Sequence, residues 1–191
     1  GSTALAHAPF VKHIMAIDFS AKMIEIARER AGVGNVTFAQ GDITTLDAPG
    51  QSYDAVLGLN ILHLLKETDV VVANVFRMLK PGGKCYIDYP FLQPVHGYPS
   101  HYYNATREGL RALFDEGFSL NYCRTELHQS PAYTVNWILN EMLGHLPEDD
   151  RERVKAMTVG ELCAHIPHEA FWSELCGKLS DAAISEFACG N

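Results

Sequence analysis

Short apolar runs and stretches of helical periodicity follow one another along this chain. Four runs predict strands, and the first of them lacks the polar alternation of a half-exposed strand, so we expect it to be buried on both faces. They are residues 13–17, 35–39, 53–59 and 84–89. One stretch of helical spacing follows Ser20 and ends at Gly32, and a second follows Thr68. The side-chain hydroxyl of Ser20 or Thr68 can cap the helix that it precedes. Strands that alternate with helices predict an α/β fold with a doubly wound, mostly parallel sheet of the Rossmann-like type.

The second half of the chain has a more helical pattern. A helix begins at Thr106, and a further strand is predicted for residues 118–127. Residues 132–139 fit one more strand, which leads into a helix. A helix remains the alternative interpretation of residues 132–139, because NWILNEML also has helical spacing. The composition then shifts to charged amphipathic helices. We therefore expect an α/β core at residues 1–146 and a helical C-terminal extension at residues 147–191, packed on that core.

Composition narrows the classes of partner. The 191 residues carry a formal net charge of −8, so the chain lacks the excess of positive charge that is typical of nucleic-acid-binding proteins. No apolar run approaches the ~20 residues that span a membrane, and we expect no membrane association. The five cysteines include no close CxxC pair, which favours reduced thiols and a cytoplasmic location. The nine histidines are scattered without a metal-binding frame, so we expect no metal site.

Two carboxylates follow the first two predicted strands. Asp18 comes directly after residues 13–17, and Asp42 comes shortly after residues 35–39. Such sheets bind ligands at the carboxyl ends of their strands, and a carboxylate can accept hydrogen bonds from two ribose hydroxyls. The alternative for Asp18 is a charge that stabilises a helix N-terminus, and the alternative for Asp42 is an ordinary turn residue.

Four motifs, in order and in spacing, resemble those of the class I S-adenosylmethionine (SAM) dependent methyltransferases, type 11-like. They are AIDFSAKM, QGDITTLD, YDAVLGLNILHLL and MLKPGGKCYI, and the resemblance covers residues 1–130. It implies that SAM is the cofactor and that the methyl group passes to a small-molecule acceptor. It further implies seven cofactor-binding residues, namely Gly1, Asp18, Phe19, Met23, Asp42, Ile43 and Asn60.

The resemblance assigns these residues different parts of SAM. Asp18 is expected to hold the ribose hydroxyls, and Asn60 to line the methionine part. Asp42 is expected beside the adenine amino group, with Ile43 packed on the ring. Phe19 and Met23 flank the adenosine or, since they are apolar and lie at helical spacing, belong to the core; these alternatives are equally supported.

The expected acceptor site lies on the later motifs and on a loop at residues 90–104. His63 is the candidate catalytic residue, because an imidazole can act as a general base near neutral pH or orient an acceptor. The alternative is a histidine that is merely hydrogen-bonded. Candidate substrate-binding residues share an aromatic or imidazole ring and are Tyr89, His101, Tyr102 and Tyr103. The alternative is an aromatic loop that packs on its own sheet.

The family also has a first strand and a glycine-rich loop that this sequence does not show. Gly1 stands where the last glycine of that loop belongs. Without the central strand, residues 13–17 and 53–59 each lack a neighbour. They pair with each other, or another chain donates a strand, or the sequence is a fragment of a longer protein. We expect a homo-oligomer, and we keep as the alternative function a non-catalytic, truncated methyltransferase-fold protein that acts as a binding or interaction module.

Overall fold

The structure is a computed structural model, and it describes residues 1–32, 34–91, 93–96, 100–125, 130–165 and 169–180. The chain divides into two compact units. Unit 1 comprises residues 1–57 and 67–86, and unit 2 comprises residues 58–66 together with the described residues from Ile87 onward. Helices and parallel strands in one chain agree with the predicted α/β class.

Unit 1 contains the predicted strands and the first helices. Its helices are α1 (Ser2–His7), α2 (Ala21–Glu29) and α3 (Thr68–Met78), with a 3₁₀ turn at Ala8–Phe10. Its strands are β1 (Ile14–Asp18), β2 (Val36–Gln40), β3 (Tyr53–Leu59) and β4 (Leu79–Asp88), of which β3 and β4 each place their last two residues in unit 2. The Ser20 hydroxyl accepts a hydrogen bond from the Met23 N–H at 3.3 Å, so the predicted cap of α2 is confirmed.

The hydrophobic side chains of unit 1 are buried chiefly between helices and strands. Ile24, Ala27 and Phe38 form one cluster, in which α2 covers β2. Helix α3 buries Val71, Val72, Val75 and Met78. Phe76 also fits the helical spacing of this buried face, but it is 53% exposed, so the spacing alone does not predict its position. Met78, two residues later, lies on the buried face instead.

Strand β1 has one paired edge and one open edge. It runs parallel to β2, and Asp18 lies opposite Gln40. The Ile14 N–H donates to the Asn35 carbonyl at 2.9 Å, and the Asp18 carbonyl accepts from the Gly41 N–H at 3.1 Å. Because alternate residues of a parallel strand bond to opposite sides, the N–H and C=O groups of Met15 and Ile17 point away from β2.

Among the described residues no strand pairs with that open edge, since β1 bonds only to β2 and β3 only to β4. Direct pairing of β1 with β3, one of the three expected solutions, is therefore not observed. A cavity of about 160 Å³ is lined by residues of β1, β2, β3 and the loop that follows β2, among them Met15, Ile17, Leu46 and Tyr53. The homo-oligomer stays a prediction.

Strand β4 is longer than the apolar run that predicted it. It includes Pro81-Gly82-Gly83, which the sequence indicates as a turn. Gly82 has a φ of 76°, a left-handed conformation that glycine adopts without steric cost. The chain therefore bends at the predicted place while its assignment as a strand continues.

Unit 2 is helical beyond the ends of β3 and β4. Its elements are a 3₁₀ turn at Leu62–Leu64 and the helices α4 (Arg107–Leu113), α5 (Pro131–His145), α6 (Glu148–Lys155), α7 (Val159–His165) and α8 (Glu169–Cys176). The Thr106 hydroxyl accepts from the Gly109 N–H at 3.0 Å, as expected of a cap. Thr158 and Glu161 cap α7 reciprocally, the hydroxyl and the carboxylate each accepting the other residue's N–H.

The strands predicted for residues 118–127 and 132–139 are not observed in the described residues. Residues 118–125 form neither helix nor strand, and residues 126–127 lie outside the described residues. Residues 132–139 belong to α5, so the competing helix interpretation is correct. Pro131 at the first helical position favours this outcome, because its fixed φ suits a helix start.

The C-terminal helices share a hydrophobic cluster with the end of α5. Leu146, Val154 and Leu175 are buried together. Residues packed against them include Phe171 and Leu179, so an apolar face of the predicted amphipathic extension is buried. The boundary between residues 146 and 147 stays a prediction. No helix in the described ranges combines the length and the apolar character needed to cross a bilayer.

Candidate functional site

The ends of β1 and β2 bring the two predicted carboxylates to one edge of the sheet. The strands β1 and β2 are parallel, and Asp18 lies opposite Gln40. Asp42 comes two residues after Gln40, just beyond the end of β2. Gln40 ties the two ends together, since its side-chain amide donates to the Phe19 carbonyl at 3.1 Å. Asp18 and Asp42 therefore stand where ligands bind in parallel sheets.

Asp18 makes one local hydrogen bond. Its Oδ1 accepts from the Ser20 N–H at 2.9 Å, at the N-terminus of α2. This contact matches the helix-terminus alternative, because a carboxylate is stabilised by the partial positive charge there. It occupies one oxygen of the half-buried carboxylate, and Oδ2 has no partner among the described residues. The two interpretations are therefore compatible.

Asp42 shapes the loop after β2. Its Oδ1 accepts from both the N–H and the hydroxyl of Thr44, at 2.8 and 2.7 Å. This is the local hydrogen bonding by which aspartate stabilises a turn, and Asp42 itself is exposed. One carboxylate oxygen of Asp42 thus stabilises the turn, as expected of an ordinary turn residue. The other oxygen has no partner in the described part of the chain.

Two residues of α3 that the sequence did not indicate fix this loop. The Asn74 amide donates to the carbonyls of Ile43 and Thr44 at 2.9 and 3.2 Å. The Arg77 guanidinium donates to the carbonyls of Leu46 and Ala48. These are contacts to backbone atoms about 30 residues away, so no local pattern could have revealed them. They make α3 the support of residues 42–48.

We expect Asn74→Ala to lower the free energy of unfolding by ~1–3 kcal/mol. The substitution removes two hydrogen bonds, each worth ~0.5–1.5 kcal/mol net, and leaves two carbonyls to find water. Urea unfolding measures the change. Asn140→Ala is the matched control, because the Asn140 amide bonds only to Asn136 within its own helix. A loss in the control as large as in Asn74→Ala would contradict the role of Asn74 in holding the loop.

The remaining predicted cofactor residues of unit 1 have different environments. Phe19 and Met23 are 50% and 49% exposed, so neither belongs to the core and both are available to a ligand. Ile43 is half-buried. Gly1 precedes α1, and a Cβ built on it would lie 2.7 Å from the Cβ of Ala27. Close packing of α1 against α2 therefore requires glycine at this position.

This set of residues suits a nucleoside. Two carboxylates with a free oxygen each can accept hydrogen bonds from hydroxyl or amino groups. Phe19 and Met23 offer exposed apolar surface next to Asp18 in the chain, and apolar surface with few polar groups is typical of sites for cofactors. The residues present in unit 1 thus fit the nucleoside part of SAM.

Unit 2 holds the other predicted site residues. Asn60 follows β3 with a φ of 53°, a left-handed conformation that asparagine tolerates better than most residues. It is exposed. Backbone conformations of this kind often occur at functional sites. The prediction that Asn60 lines the cofactor remains open.

His63 is among the most deeply buried polar residues. Its side chain is 2% exposed, and its Nδ1 atom has no hydrogen-bond partner. Burial, and secondarily the proximity of His101 and His96, lower the pKa of His63 from 6.5 to about 4. The imidazole is therefore neutral at pH 7. A neutral ring with a low pKa is a weak general base but a good hydrogen-bond partner, which favours the orienting role over proton abstraction.

Three rings contact the ring of His63, and a fourth contacts one of those three. The centroids of His96 and His101 lie 5.1 and 5.0 Å from that of His63, and Tyr89 meets it edge-on at 6.4 Å. The ring of Trp137 of α5 contacts that of His96 at a tilt of 52°, with the centroids 4.7 Å apart. We call these five residues the imidazole cluster. The sequence indicated His63, Tyr89 and His101 separately, and the fold brings them together.

Tyr102 and Tyr103 are held near the cluster by the backbone. Their N–H groups donate to the His63 carbonyl at 2.8 and 3.4 Å. The Tyr103 hydroxyl donates to the Lys66 carbonyl at 3.1 Å. Both side chains are nearly half exposed, so their rings are not part of a self-packed loop. Burial, with Tyr103 as a second cause, raises the pKa of Tyr89.

Metal ligands do not gather in the described residues. In no case do three or more His, Cys, Asp or Glu side chains lie in an arrangement that could hold a metal ion. Burial raises the pKa of the Cys85 thiol to about 11. That thiol is therefore protonated and unreactive at neutral pH.

Comparisons with known proteins relate the first part of the chain to methyltransferases. A family model, described as a methyltransferase domain, matches residues 1–83. The uncharacterized methyltransferase YcgJ of Bacillus subtilis is 34% identical over 87 residues, which are 44% of this chain and 34% of that protein. A fatty-acid O-methyltransferase of Mycolicibacterium smegmatis is 34% identical over 83 residues, 44% of this chain and 30% of that enzyme. The chain thus spans about a third of the length of these relatives.

A solved structure extends the likeness to the fold. The crystal structure of Bacillus subtilis YcgJ superposes with a TM-score of 0.56 at 22% identity, over 80% of this chain and 76% of that one. The Rossmann-like α/β fold predicted from the sequence is therefore confirmed. Residues 1–83, which the family model matches, include Asp18, Asp42 and the helix and strand between them. Residues 1–83 are thus similar to a methyltransferase domain, and the chain has the fold of the methyltransferase-type structures.

Proposed function

We propose that this protein is a SAM-dependent methyltransferase that acts on a small-molecule acceptor. The observation that carries the proposal is the parallel pairing of β1 with β2, which places Asp18 and Asp42 at one sheet edge inside the matched residues. Each carboxylate has one oxygen engaged in its own loop and another without a partner among the described residues. When bound, SAM supplies a methyl group that is electrophilic.

The residues divide between binding the cofactor and binding the acceptor. In unit 1, Asp18 would hold the ribose hydroxyls, Asp42 the adenine amino group, and Phe19 and Met23 the apolar faces. In unit 2, His63 would orient the acceptor. The negative net charge of −8 disfavours a nucleic-acid acceptor, which leaves a small molecule or a protein. One relative's name also records the O-methylation of a fatty acid.

The alternative, a non-catalytic binding module, is not favoured by the relatives, which are named as methyltransferases. Titration calorimetry with SAM and with S-adenosylhomocysteine separates the two functions at the first step. Binding of both is expected for a methyltransferase. A chain that binds neither would refute the proposed function.

We expect Asp18→Ala to weaken SAM binding at least tenfold. The substitution removes a charged acceptor of hydroxyl hydrogen bonds, each worth ~1.5–3 kcal/mol, and tenfold corresponds to ~1.4 kcal/mol. Asp54→Ala is the matched control in the same unit, because Asp54 is exposed and pairs only with Lys80. The control should bind SAM as the wild type does. Equal affinity of Asp18→Ala and wild type would remove Asp18 from the site.

A further inference from the structure

Helix α3 carries a polar residue on its buried face. Val71 and Met78 are buried, and Asn74 lies three residues after the one and four before the other, so the three side chains share one side of the helix. Asn74 itself is half-buried. A side-chain amide in such a place is costly unless it is hydrogen-bonded. The role of Asn74 therefore depends on the hydrogen bonds that its amide makes.

The amide of Asn74 fixes the peptide group between Ile43 and Thr44. Asn74 Nδ2 donates to the Ile43 carbonyl at 2.9 Å and to the Thr44 carbonyl at 3.2 Å. A trans peptide group is planar, with its C=O and N–H pointing in opposite directions. The hydrogen bond to the Ile43 carbonyl therefore also sets the direction of the Thr44 N–H.

That N–H holds the carboxylate of Asp42. The Thr44 N–H donates to Asp42 Oδ1 at 2.8 Å, and the Thr44 hydroxyl donates to the same oxygen at 2.7 Å. One peptide group thus accepts a hydrogen bond from Asn74 and donates another to Asp42. Because a carboxylate is planar, fixing Oδ1 restricts the directions in which Oδ2 can point. Asn74 therefore acts on the orientation of Asp42 without touching it.

The rest of the loop is fixed independently of Asn74. The Arg77 guanidinium donates to the carbonyls of Leu46 and Ala48, and the Gln51 N–H donates to the Arg77 carbonyl at 2.9 Å. Loss of the Asn74 amide should therefore free the peptide group that holds Asp42 without releasing the whole loop.

We propose that Asn74 is a positioning residue for the cofactor, which aims Asp42 Oδ2 at an exocyclic amino group through the Ile43–Thr44 peptide. The proposal rests on the proposed function in identifying that group as the adenine amino group of SAM. An ionised carboxylate only accepts hydrogen bonds, so a correctly placed Oδ2 favours a purine that carries an amino group over one that lacks it. Asn74, which the sequence did not indicate, is then a determinant of cofactor specificity.

Titration calorimetry with two matched probes tests the proposal. One probe is S-adenosylhomocysteine, and the other is its 6-deamino analogue, in which a hydrogen atom replaces the amino group. We expect the wild-type chain to bind the first at least tenfold more tightly, and Asn74→Ala to bind it less than threefold more tightly. A tenfold preference that persists in Asn74→Ala would overturn the proposal, because a merely stabilising residue would weaken the binding of both probes equally.

Arg28→Ala is the matched control. The Arg28 guanidinium also donates two hydrogen bonds to a backbone carbonyl of unit 1, that of Phe38, at 3.2 and 2.7 Å. The control should lose stability and keep the tenfold preference, and its loss there would overturn the assignment to Asn74. If Asn74→Ala fails to fold, Asn74→Ser is expected to show the same loss of preference, since its short side chain does not span both carbonyls.

Hydrogen exchange of the Thr44 N–H, followed by NMR without cofactor, tests the contact itself. We expect this amide to exchange at least tenfold faster in Asn74→Ala than in the wild type, and at the wild-type rate in Arg28→Ala. An unchanged rate in Asn74→Ala would overturn the proposal. A wild-type chain that binds neither probe would refute the proposed function, and the exchange rate would still decide whether Asn74 positions Asp42.

Discussion

Leu175→Ala is expected to lower the free energy of unfolding by ~2–5 kcal/mol, the range for truncating a buried leucine. Leu175 is 1% exposed, and it is buried with Leu146 of the α5–α6 connection and Val154 of α6. The substitution removes three carbon atoms from a cluster to which α5, α6, α7 and α8 all contribute. A cavity there loosens the contacts of every helix in the cluster.

Urea unfolding followed by circular dichroism measures the effect of Leu175→Ala. Leu120→Ala is the matched control, because Leu120 is 57% exposed and the same truncation there removes little buried surface. The control should change the unfolding free energy by less than ~1 kcal/mol. A similar small change in Leu175→Ala would contradict the assignment of the C-terminal helices to a shared hydrophobic cluster.

Local signals predicted the elements of unit 1 well. The cap at Ser20, the apolar run at β3 and the acid after β1 are each set by a few neighbouring residues. The boundaries of β1 and β2 differ from the prediction by one residue, since an apolar run does not show which residue forms the first ladder bond. Periodicity and caps therefore sufficed where the structure depends on adjacent residues.

The errors occurred where competing patterns overlap or where packing decides. Residues 132–139 contain β-branched and aromatic residues that favour a strand, but Pro131 and the helical spacing of the following residues prevail in α5. Phe76 has the right spacing for burial and is nevertheless half exposed. Which side of α3 faces the interior depends on its neighbours, and the sequence alone does not contain their positions.

The candidate site was only partly predictable for a similar reason. Asp18 and Asp42 follow strands and could be found from the strand pattern. Asn74 acts on carbonyls 30 and 31 residues away, so only the folded chain connects it to the loop. His63, His96 and Trp137 are likewise distant in sequence. Their mutual contacts, and hence the unpaired Nδ1 atom, follow from tertiary structure.

The stability of the chain is expected to fall as the pH decreases from 6.5 to 4, with His63 contributing up to about 3 kcal/mol. Burial first, and then His101 and His96, lower the pKa of His63 from 6.5 to about 4 in the folded protein. In this range the unfolded chain binds a proton at His63 that the folded chain does not bind. The contribution is complete above pH 6.5 and is lost as the pH falls to the folded pKa, at ~1.4 kcal/mol for each unit of difference.

Urea unfolding at several pH values, compared between wild type and His63→Phe, isolates this contribution. Both proteins share all ionisable groups except His63, including those of the rings around it, so the difference between the two curves reports mainly His63. The difference should change by about 3 kcal/mol between pH 7 and pH 4, and His7→Gln, at an exposed histidine, should show no comparable change. A constant difference between wild type and His63→Phe would mean that His63 is protonated as easily in the folded chain as in the unfolded one, which is incompatible with its enclosure by the imidazole cluster.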